Sequence, residues 1–319
     1  MKVSVEKDYI KSVSEFITTV FNKIGNLEND KTTDRTIWFR GEDSEKYNLV
    51  PNLYRKISKS EIPYCQDILN PKSISTVEQN IDTSFYRKST AFFAKNRIAN
   101  TPWNRYFLKQ HYGVRTRLLD WTENALFALF FAVSSNSGEN GKVWLLSPFK
   151  LNNYSLHKLY PSDKNFYTIL TCGKLKKKDN LINKNGELRA SELLRKYYRL
   201  DFSNSEELYP LAIYPPHLDE RMSSQQACFT LYGNIVRGLD CNDTQEKFLD
   251  CVYIDAVSKF DILKELRVLG ISNYSIYPDL DGLGRTINYD HSNDIFLTQE
   301  GNDTTNFIEK IILRSQEIE

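Results

Sequence analysis

The sequence predicts a mixed α/β protein of the α+β type, in which helices flank a central antiparallel or mixed sheet. Short segments rich in β-branched and aromatic residues lie between longer segments whose apolar residues recur every three or four positions. The 319 residues are 40% hydrophobic and 13% aromatic, which is enough to form a sizeable core. One helix is apolar nearly all round, and such a helix belongs at the centre of a fold.

The helices are predicted from apolar periodicity and from their end signals. The first has a stripe typical of an amphipathic helix, and the second has phenylalanines on its apolar side. The third, apolar helix opens after Thr122, a suitable N-cap, with Glu123 in its first turn. Gly270 ends the last one. The predicted helices lie at residues 9–24, 78–95, 123–134, 187–199 and 259–269.

The strands are predicted where β-branched and aromatic residues cluster between turn residues. The first is short and buried, and it ends on Arg40 and Gly41. Gly141 starts a later strand that Pro148 closes, and Pro215 and Pro216 follow another. The predicted strands lie at residues 36–39, 117–121, 141–146, 211–214, 228–232 and 251–256.

Composition limits the classes of partner. The 42 basic and 41 acidic residues nearly balance, so no overall field would gather nucleic acid, and any contact with it would be local. The lysine-rich segment 174–185 is interpreted as a solvated loop. No run approaches the roughly 20 apolar residues of a membrane span, and residues 1–11 lack the apolar core of a signal peptide. The five cysteines form no Cys-x-x-Cys pair, which favours a reducing cytoplasm.

The sequence lacks the motifs that mark several common classes of enzyme. The chain has no Gly-x-Gly-x-x-Gly turn, no phosphate-binding Walker loop, no His-Glu-x-x-His and no Gly-x-Ser-x-Gly elbow. Its four histidines are not paired at metal-ligand spacing, so a histidine-rich metal site is not expected.

Two blocks resemble the FRG domain, a family named for its aromatic-Arg-Gly core. The first is residues 38–41, WFRG, and the second is residues 109–122, KQHYGVRTRLLDWT, followed by the apolar helix. Shorter resemblances are Arg221-Met222 with Gln225 and Phe229, and residues 270–283. Ala227 departs from the family, which often has glycine there. The resemblance implies a bacterial-type FRG domain at 31–290 with an insertion at about 150–210, an N-terminal helix within 1–30 and a tail at 291–319.

Arg40 ends a buried apolar strand, where an unpaired guanidinium would be strongly destabilising. It must therefore form an ion pair, with Asp120 or Glu42, or point into a cleft. In a cleft it would grip a phosphate or carboxylate with two hydrogen bonds, and Gly41 would let the ligand approach the backbone.

The segment Asp120-Trp121-Thr122 places a carboxylate, an aromatic ring and a hydroxyl before the N-terminus of a helix, a combination that suits a nucleotide. The alternatives are that Thr122 only caps the helix and that Trp121 only packs in the core. His111 could orient Asp120, act as a base or be an ordinary core histidine.

The layout of these elements is also similar to the first two elements of ADP-ribosyltransferase folds, in which an aromatic-Arg strand holds NAD. This similarity implies NAD as the substrate and a macromolecular acceptor, in a bacterial toxin or antiphage effector. The implied NAD-binding residues are Phe39, Arg40, Gly41, Thr116, Arg117, Trp121 and Thr122. The implied catalytic residues are Arg40, Asp120, Gln225 and His111. Gln225 stands where these enzymes have an acidic residue, so Asp120 or Glu123 would supply the carboxylate that stabilises an oxocarbenium-like state.

Two other functions remain open at this point. In a metal-dependent nuclease, four carboxylates would gather a divalent cation and Arg40, Arg115 and Arg117 would hold phosphates. Those carboxylates are Glu42, Asp43, Asp120 and Glu123. In a noncatalytic module, the same arginines would bind a nucleotide or a phosphorylated partner without turnover.

Overall fold

The computed structural model describes residues 7–27, 36–55, 71–135, 138–161, 168–171, 190–198, 200, 206–241 and 248–297. Contacts divide the chain into two compact units, Met1–Ile271 and Ser272–Glu319. The domain boundaries proposed from the sequence stay a prediction. The lysine-rich segment 174–185 lies outside the described residues.

The described part of the first unit contains an eight-stranded mixed sheet, which confirms the predicted fold class. Its strands are β1 (Tyr9–Ile10), β2 (Trp38–Glu42), β3 (Leu118–Thr122), β4 (Gly141–Leu146), β5 (Leu170–Thr171), β6 (Leu211–Tyr214), β7 (Ala227–Leu231) and β8 (Leu249–Ile254). Their order across the sheet is β1-β8-β4-β2-β3-β7-β6-β5. The outer pairs, β1 with β8 and β5 with β6, are parallel, and the pairs between them are antiparallel.

The helices of this unit are α1 (Val13–Leu27), α2 (Pro71–Lys95), α3 (Pro102–His111), α4 (Ala125–Val133), α5 (Pro148–Leu159), α6 (Ala190–Tyr198), α7 (Glu220–Ser224) and α8 (Lys259–Val268). The first predicted helix begins four residues late, because Tyr9 and Ile10 pair with β8 instead. Pro148 follows β4 as predicted, but it also starts α5 at the first helical position, where a missing N–H costs nothing.

Helix α4 is the apolar helix of the sequence, and it packs closely on the centre of the sheet. Its small residues Ala128 and Ala132 are fully buried. A Cβ at Gly41 would overlap the carbonyl oxygen of Ala128 and lie 2.8 Å from the nitrogen of Ala132. Glycine is therefore required at position 41 because the backbone of α4 packs directly on β2. This reason differs from the predicted one, which was that Gly41 gives a ligand access to the backbone.

The start of α4 also differs from the prediction. Asn124, not Thr122, is the N-cap, because the Asn124 side chain accepts hydrogen bonds from the N–H groups of Leu126 and Phe127. Thr122 remains in β3, opposite Phe39 and Ala227.

The two central strands separate at one end. Strand β2 pairs with β4 along its whole length, from Trp38 to Glu42. Although β2 and β3 are both fully described, the register joins them only at Phe39 and Thr122. The sheet therefore opens between the second half of β2 and the first half of β3, which is where Arg40 and Asp120 lie.

The second unit contains α9 (Asn273–Ile276) and α10 (Leu280–Leu297) among its described residues. Ser272 caps α9 through a reciprocal pair of hydrogen bonds with Ser275. In the part of the chain that the structure describes, no helix is long and apolar enough to cross a membrane.

Candidate functional site

Arg40 is held at the opening between β2 and β3 by two protein contacts. Its Nε donates to Glu42 Oε1 at 2.7 Å, and its Nη1 donates to the carbonyl oxygen of Asp120 at 2.9 Å. Nη1 also lies 3.9 Å from Asp120 Oδ2. Burial lowers the pKa of Arg40, but the charges of Glu42 and Asp120 raise it by more, so the guanidinium stays charged.

One edge of this guanidinium remains open. Among the described residues, no acceptor binds Nη2, and the Arg40 side chain keeps 17% of its surface exposed. The sequence left two alternatives for Arg40, an internal pair or a ligand contact. The structure shows the ion pair with Glu42. This pair orients the guanidinium and leaves some of its N–H donors available to a ligand.

Asp120 lies beside Arg40, at the same opening between β2 and β3. Desolvation by the surrounding protein raises its pKa, while the charge of Arg40 and a hydrogen bond from Gln110 lower it in part. Yet its side chain is 57% exposed. Solvent, and therefore a ligand, can reach this carboxylate. We call the opening lined by Arg40 and Asp120 the β2–β3 cleft.

A chain of hydrogen bonds fixes the orientation of Asp120. The N–H of Leu118 donates to the Thr116 hydroxyl, which in turn donates to Gln110 Oε1. This leaves Gln110 Nε2 facing Asp120, and it donates to Oδ2 at 2.7 Å. In this structure Thr116 holds Gln110, which in turn holds Asp120, and a direct contact of Thr116 with a ligand stays a prediction. The sequence reasoning missed Gln110, whose one signal was its place in the 109–122 block.

Arg221 is near enough to affect Asp120, and sequence reasoning did not select it as a site residue. It lies on α7, and its charge lowers the pKa of Asp120. His111 lies at the end of α3, and its Nε2 is 3.1 Å from Oδ2 of Asp219, the N-cap of α7. This contact of His111 is with the start of α7. It joins α3 to the helix that carries Arg221.

Gln225 reaches the site region through its backbone. Its carbonyl oxygen accepts a hydrogen bond from the Thr122 hydroxyl at 2.7 Å, and that hydroxyl also accepts from the N–H of Asn124. The next residue, Gln226, has a φ of 47°, in the region that favours glycine. Within the described residues, the Gln225 side chain forms no hydrogen bond with Arg40 or Asp120.

Three other residues predicted to contact the ligand are buried in the protein. Trp121 is 3% exposed and donates to the Thr230 hydroxyl, as its core alternative implied. Phe39 is 6% exposed. Arg117 is fully buried, and each of its guanidinium nitrogens already donates. The acceptors of Arg117 are the Glu78 carboxylate and the carbonyl oxygens of Tyr197 and Tyr232.

Three of the four carboxylates named for a metal site already have partners in the protein. Glu42 pairs with Arg40, Asp43 accepts from the Ser135 hydroxyl, and Glu123 accepts from the Tyr214 hydroxyl. No group of three or more metal-ligating side chains occurs within the described ranges.

Comparison with known proteins gives one family. The model of the FRG domain matches residues 35–141, a range that contains Phe39-Arg40-Gly41, Gln110 and the whole of β3. No curated protein and no solved structure matches the chain. The match therefore supports the FRG family for the segment that forms the β2–β3 cleft.

Proposed function

We propose that the β2–β3 cleft of this FRG-domain segment binds NAD and cleaves its nicotinamide bond, with ADP-ribose passing to water or to a macromolecular acceptor. One observation carries the proposal. Arg40 and Asp120 are each oriented by the fold, each keeps an open edge, and they lie 3.9 Å apart in one cleft. A cation that binds phosphate and a carboxylate that stabilises positive charge are the two groups this reaction needs.

Arg40 would hold the pyrophosphate. Its Nη2 has no acceptor among the described residues, whereas Nε and Nη1 donate to Glu42 and Asp120. Charge-assisted hydrogen bonds from an oriented guanidinium to phosphate are strong and geometrically specific. The side chain is already fixed, so binding would cost little conformational entropy.

Asp120 would act on the ribose. As the bond between C1′ and the nicotinamide nitrogen breaks, the electron pair leaves with nicotinamide and positive charge develops on the ribose. An ionised carboxylate beside the ribose stabilises that charge. The acceptor oxygen then attacks C1′ and loses its proton. Gln225, at the adjacent turn, and His111, which joins α3 to α7, would support this arrangement. The proposed setting is a bacterial toxin or antiphage effector.

The experiment that tests this function is incubation of the full chain with NAD labelled separately in nicotinamide and in adenine. We expect release of nicotinamide that withstands a chelator and is lost in Arg40→Ala. Binding of unchanged NAD would leave only a nucleotide-binding module. Cleavage of nucleic acid that requires Mg²⁺, with no effect on NAD, would favour the nuclease.

Removing the Gln110 side chain should change the pH dependence of this reaction. The hydrogen bond from Gln110 lowers the pKa of Asp120, so Gln110→Ala should raise that pKa. Asp120 acts when ionised, and its activity is lost as the pH falls through its pKa. The acidic limb of the pH–rate profile is therefore expected to move to higher pH.

Thr116 supplies the matched comparison. Thr116→Val removes the hydroxyl that holds the Gln110 amide, so it should shift the acidic limb in the same direction. Thr116→Ser keeps the hydroxyl and should leave the profile unchanged. An unaltered profile in both Gln110→Ala and Thr116→Val would show that this chain of hydrogen bonds does not tune Asp120.

A further inference from the structure

A second concave site lies outside the β2–β3 cleft. It is a cavity of about 430 Å³, within the range of known small-molecule sites. It is bounded by α2, α3 and the chain at the end of α6. The lining residues are Ser75, Glu78, Gln79, Asp82, Thr83, Tyr106, Lys109, Tyr198 and Leu200. We call it the α2–α3 cavity.

The wall formed by α2 is polar, and part of it is open to solvent, since Gln79 and Thr83 are exposed. Its five lining residues recur at helical spacing, from position 75 to position 83. All five carry a hydroxyl, an amide or a carboxylate. A polar stripe of this kind normally faces water. This stripe also lines a cavity wide enough for a ligand, so those of its polar groups that the protein does not already engage are available to an occupant.

Lys109 is the cation of the cavity, and its hydrogen bonding is incomplete. Its side chain is 1% exposed, and Nζ donates to Asp82 Oδ1 at 2.8 Å. The ammonium also lies 4.7 Å from the centre of the Tyr106 ring. In the part of the chain that the structure describes, Asp82 is its one hydrogen-bond acceptor. Because an ammonium has three N–H donors, an acceptor supplied by an occupant would satisfy another of them.

The two carboxylates of the cavity differ in availability. Glu78 is already engaged by Arg117 Nε, which contacts both of its oxygens, and by the Tyr106 hydroxyl at 2.8 Å. Asp82 is more open: its side chain is 32% exposed, and the nearest donor to Oδ2 is the Tyr198 hydroxyl at 3.5 Å. Asp82 therefore retains capacity to accept a hydrogen bond from an occupant.

Charge balance identifies the class of ligand. The carboxylates Glu78 and Asp82 are matched by the cations Lys109 and Arg117. The two carboxylates would repel an anionic ligand, and the two buried cations would repel a cationic one, so both classes of ligand are disfavoured. Neighbouring donor and acceptor groups on Lys109 and Asp82 suit hydroxyls, which accept and donate. The Tyr106 and Tyr198 rings can pack against the carbon face of a sugar ring.

From these contacts we infer that the α2–α3 cavity binds a neutral molecule with vicinal hydroxyls, of the size of a monosaccharide. One hydroxyl donates to Asp82 Oδ2, and its neighbour accepts from Lys109 Nζ. The inference does not depend on NAD chemistry in the β2–β3 cleft, so the two proposals fail or stand separately.

The test is calorimetric titration of the full chain with four neutral probes: d-ribose, d-glucose, d-galactose and myo-inositol. At least one should bind at millimolar concentration or below. Ribose 5-phosphate and glucosamine, which add a charge, should bind more weakly than their neutral parents. Failure of all four neutral probes to bind, or tighter binding of the charged forms, would overturn the inference.

Two variants place the binding in the cavity. Asp82→Asn weakens the acceptor of the ligand hydroxyl and is expected to lower the affinity about tenfold, the effect of a hydrogen bond to a charged group. Thr83→Phe fills the cavity without changing its charge and should abolish binding. Asp261→Asn, at an exposed position on α8, is the control and should bind as the wild type does. Equal affinity in all three folded variants would contradict the assignment.

Discussion

Replacement of Asp120 by asparagine is expected to lower the rate of nicotinamide release from NAD by about 100-fold or more, the size of effect seen when one charge-stabilising group is removed from an active site. Asparagine keeps the shape of the side chain, and its oxygen can still accept from Gln110. It lacks the negative charge that would stabilise the ribose cation. Single-turnover measurement of nicotinamide release is the direct check.

The same substitution should not destabilise the protein. Desolvation raises the pKa of Asp120 in the folded state. A group with a raised folded-state pKa contributes stability that is present below its unfolded pKa and is lost as the pH rises through the folded pKa. At neutral pH the ionised side chain therefore opposes folding. Asp120→Asn is therefore expected to leave the Tm unchanged or raise it at neutral pH. The difference in Tm between the variant and the wild type should be smaller at acidic pH.

The combination of these two results distinguishes a functional carboxylate from a structural one. A structural Asp120 that mainly holds Arg40 would lower the Tm when it is replaced, and activity would fall only as far as folding does. The control Asp261→Asn, at a side chain that is 71% exposed, should change neither activity nor Tm. A stable Asp120→Asn variant with full activity would exclude Asp120 from the chemistry.

The strands and the apolar helix were predictable because their signals are local. The bounds of β6, β7, β8 and α8 lie within two residues of the predicted ones. The signals that predicted them, clusters of β-branched residues, prolines and Gly270, each affect the conformation of only a few neighbouring residues. Helix α3 was not predicted. Helix α2 was predicted seven residues too short, because its N-terminal half is polar on the side that faces the α2–α3 cavity.

The candidate site was predictable to the extent that each of its residues belongs to a short motif on one strand, Arg40 on β2 and Asp120 on β3. Arg40 and Asp120 lie together as the sequence suggested, because both follow from short motifs. Arg117 shows the limit of that reasoning. Its partners Glu78, Tyr197 and Tyr232 are 39, 80 and 115 positions away, so no local pattern reveals that this arginine is buried and fully engaged. Gln110 was missed although its partners Thr116 and Asp120 are only 6 and 10 positions away, because its role depends on how the chain turns between α3 and β3.

Gly41→Ala is expected to destabilise the protein by about 3 kcal/mol or more, at the upper end of the cost of overpacking a core. The new Cβ would overlap the backbone carbonyl of Ala128 and lie 2.8 Å from the backbone nitrogen of Ala132. Backbone atoms in the middle of a buried helix cannot move aside, so α4 would have to lift from β2. Denaturant unfolding measures the change.

Gly25→Ala is the matched control, because Gly25 lies inside α1 and a Cβ there would meet nothing within 4 Å. It should stabilise the protein by about 0.5–1 kcal/mol through helix propensity. Since the overlap at Gly41 is with the main chain, adding Ala128→Gly should not restore Gly41→Ala. A Gly41→Ala variant with normal stability and lost NAD binding would instead support the ligand-access role that the sequence suggested. The glycine of the aromatic-Arg-Gly motif would then serve the ligand beside Arg40, not the helix behind it.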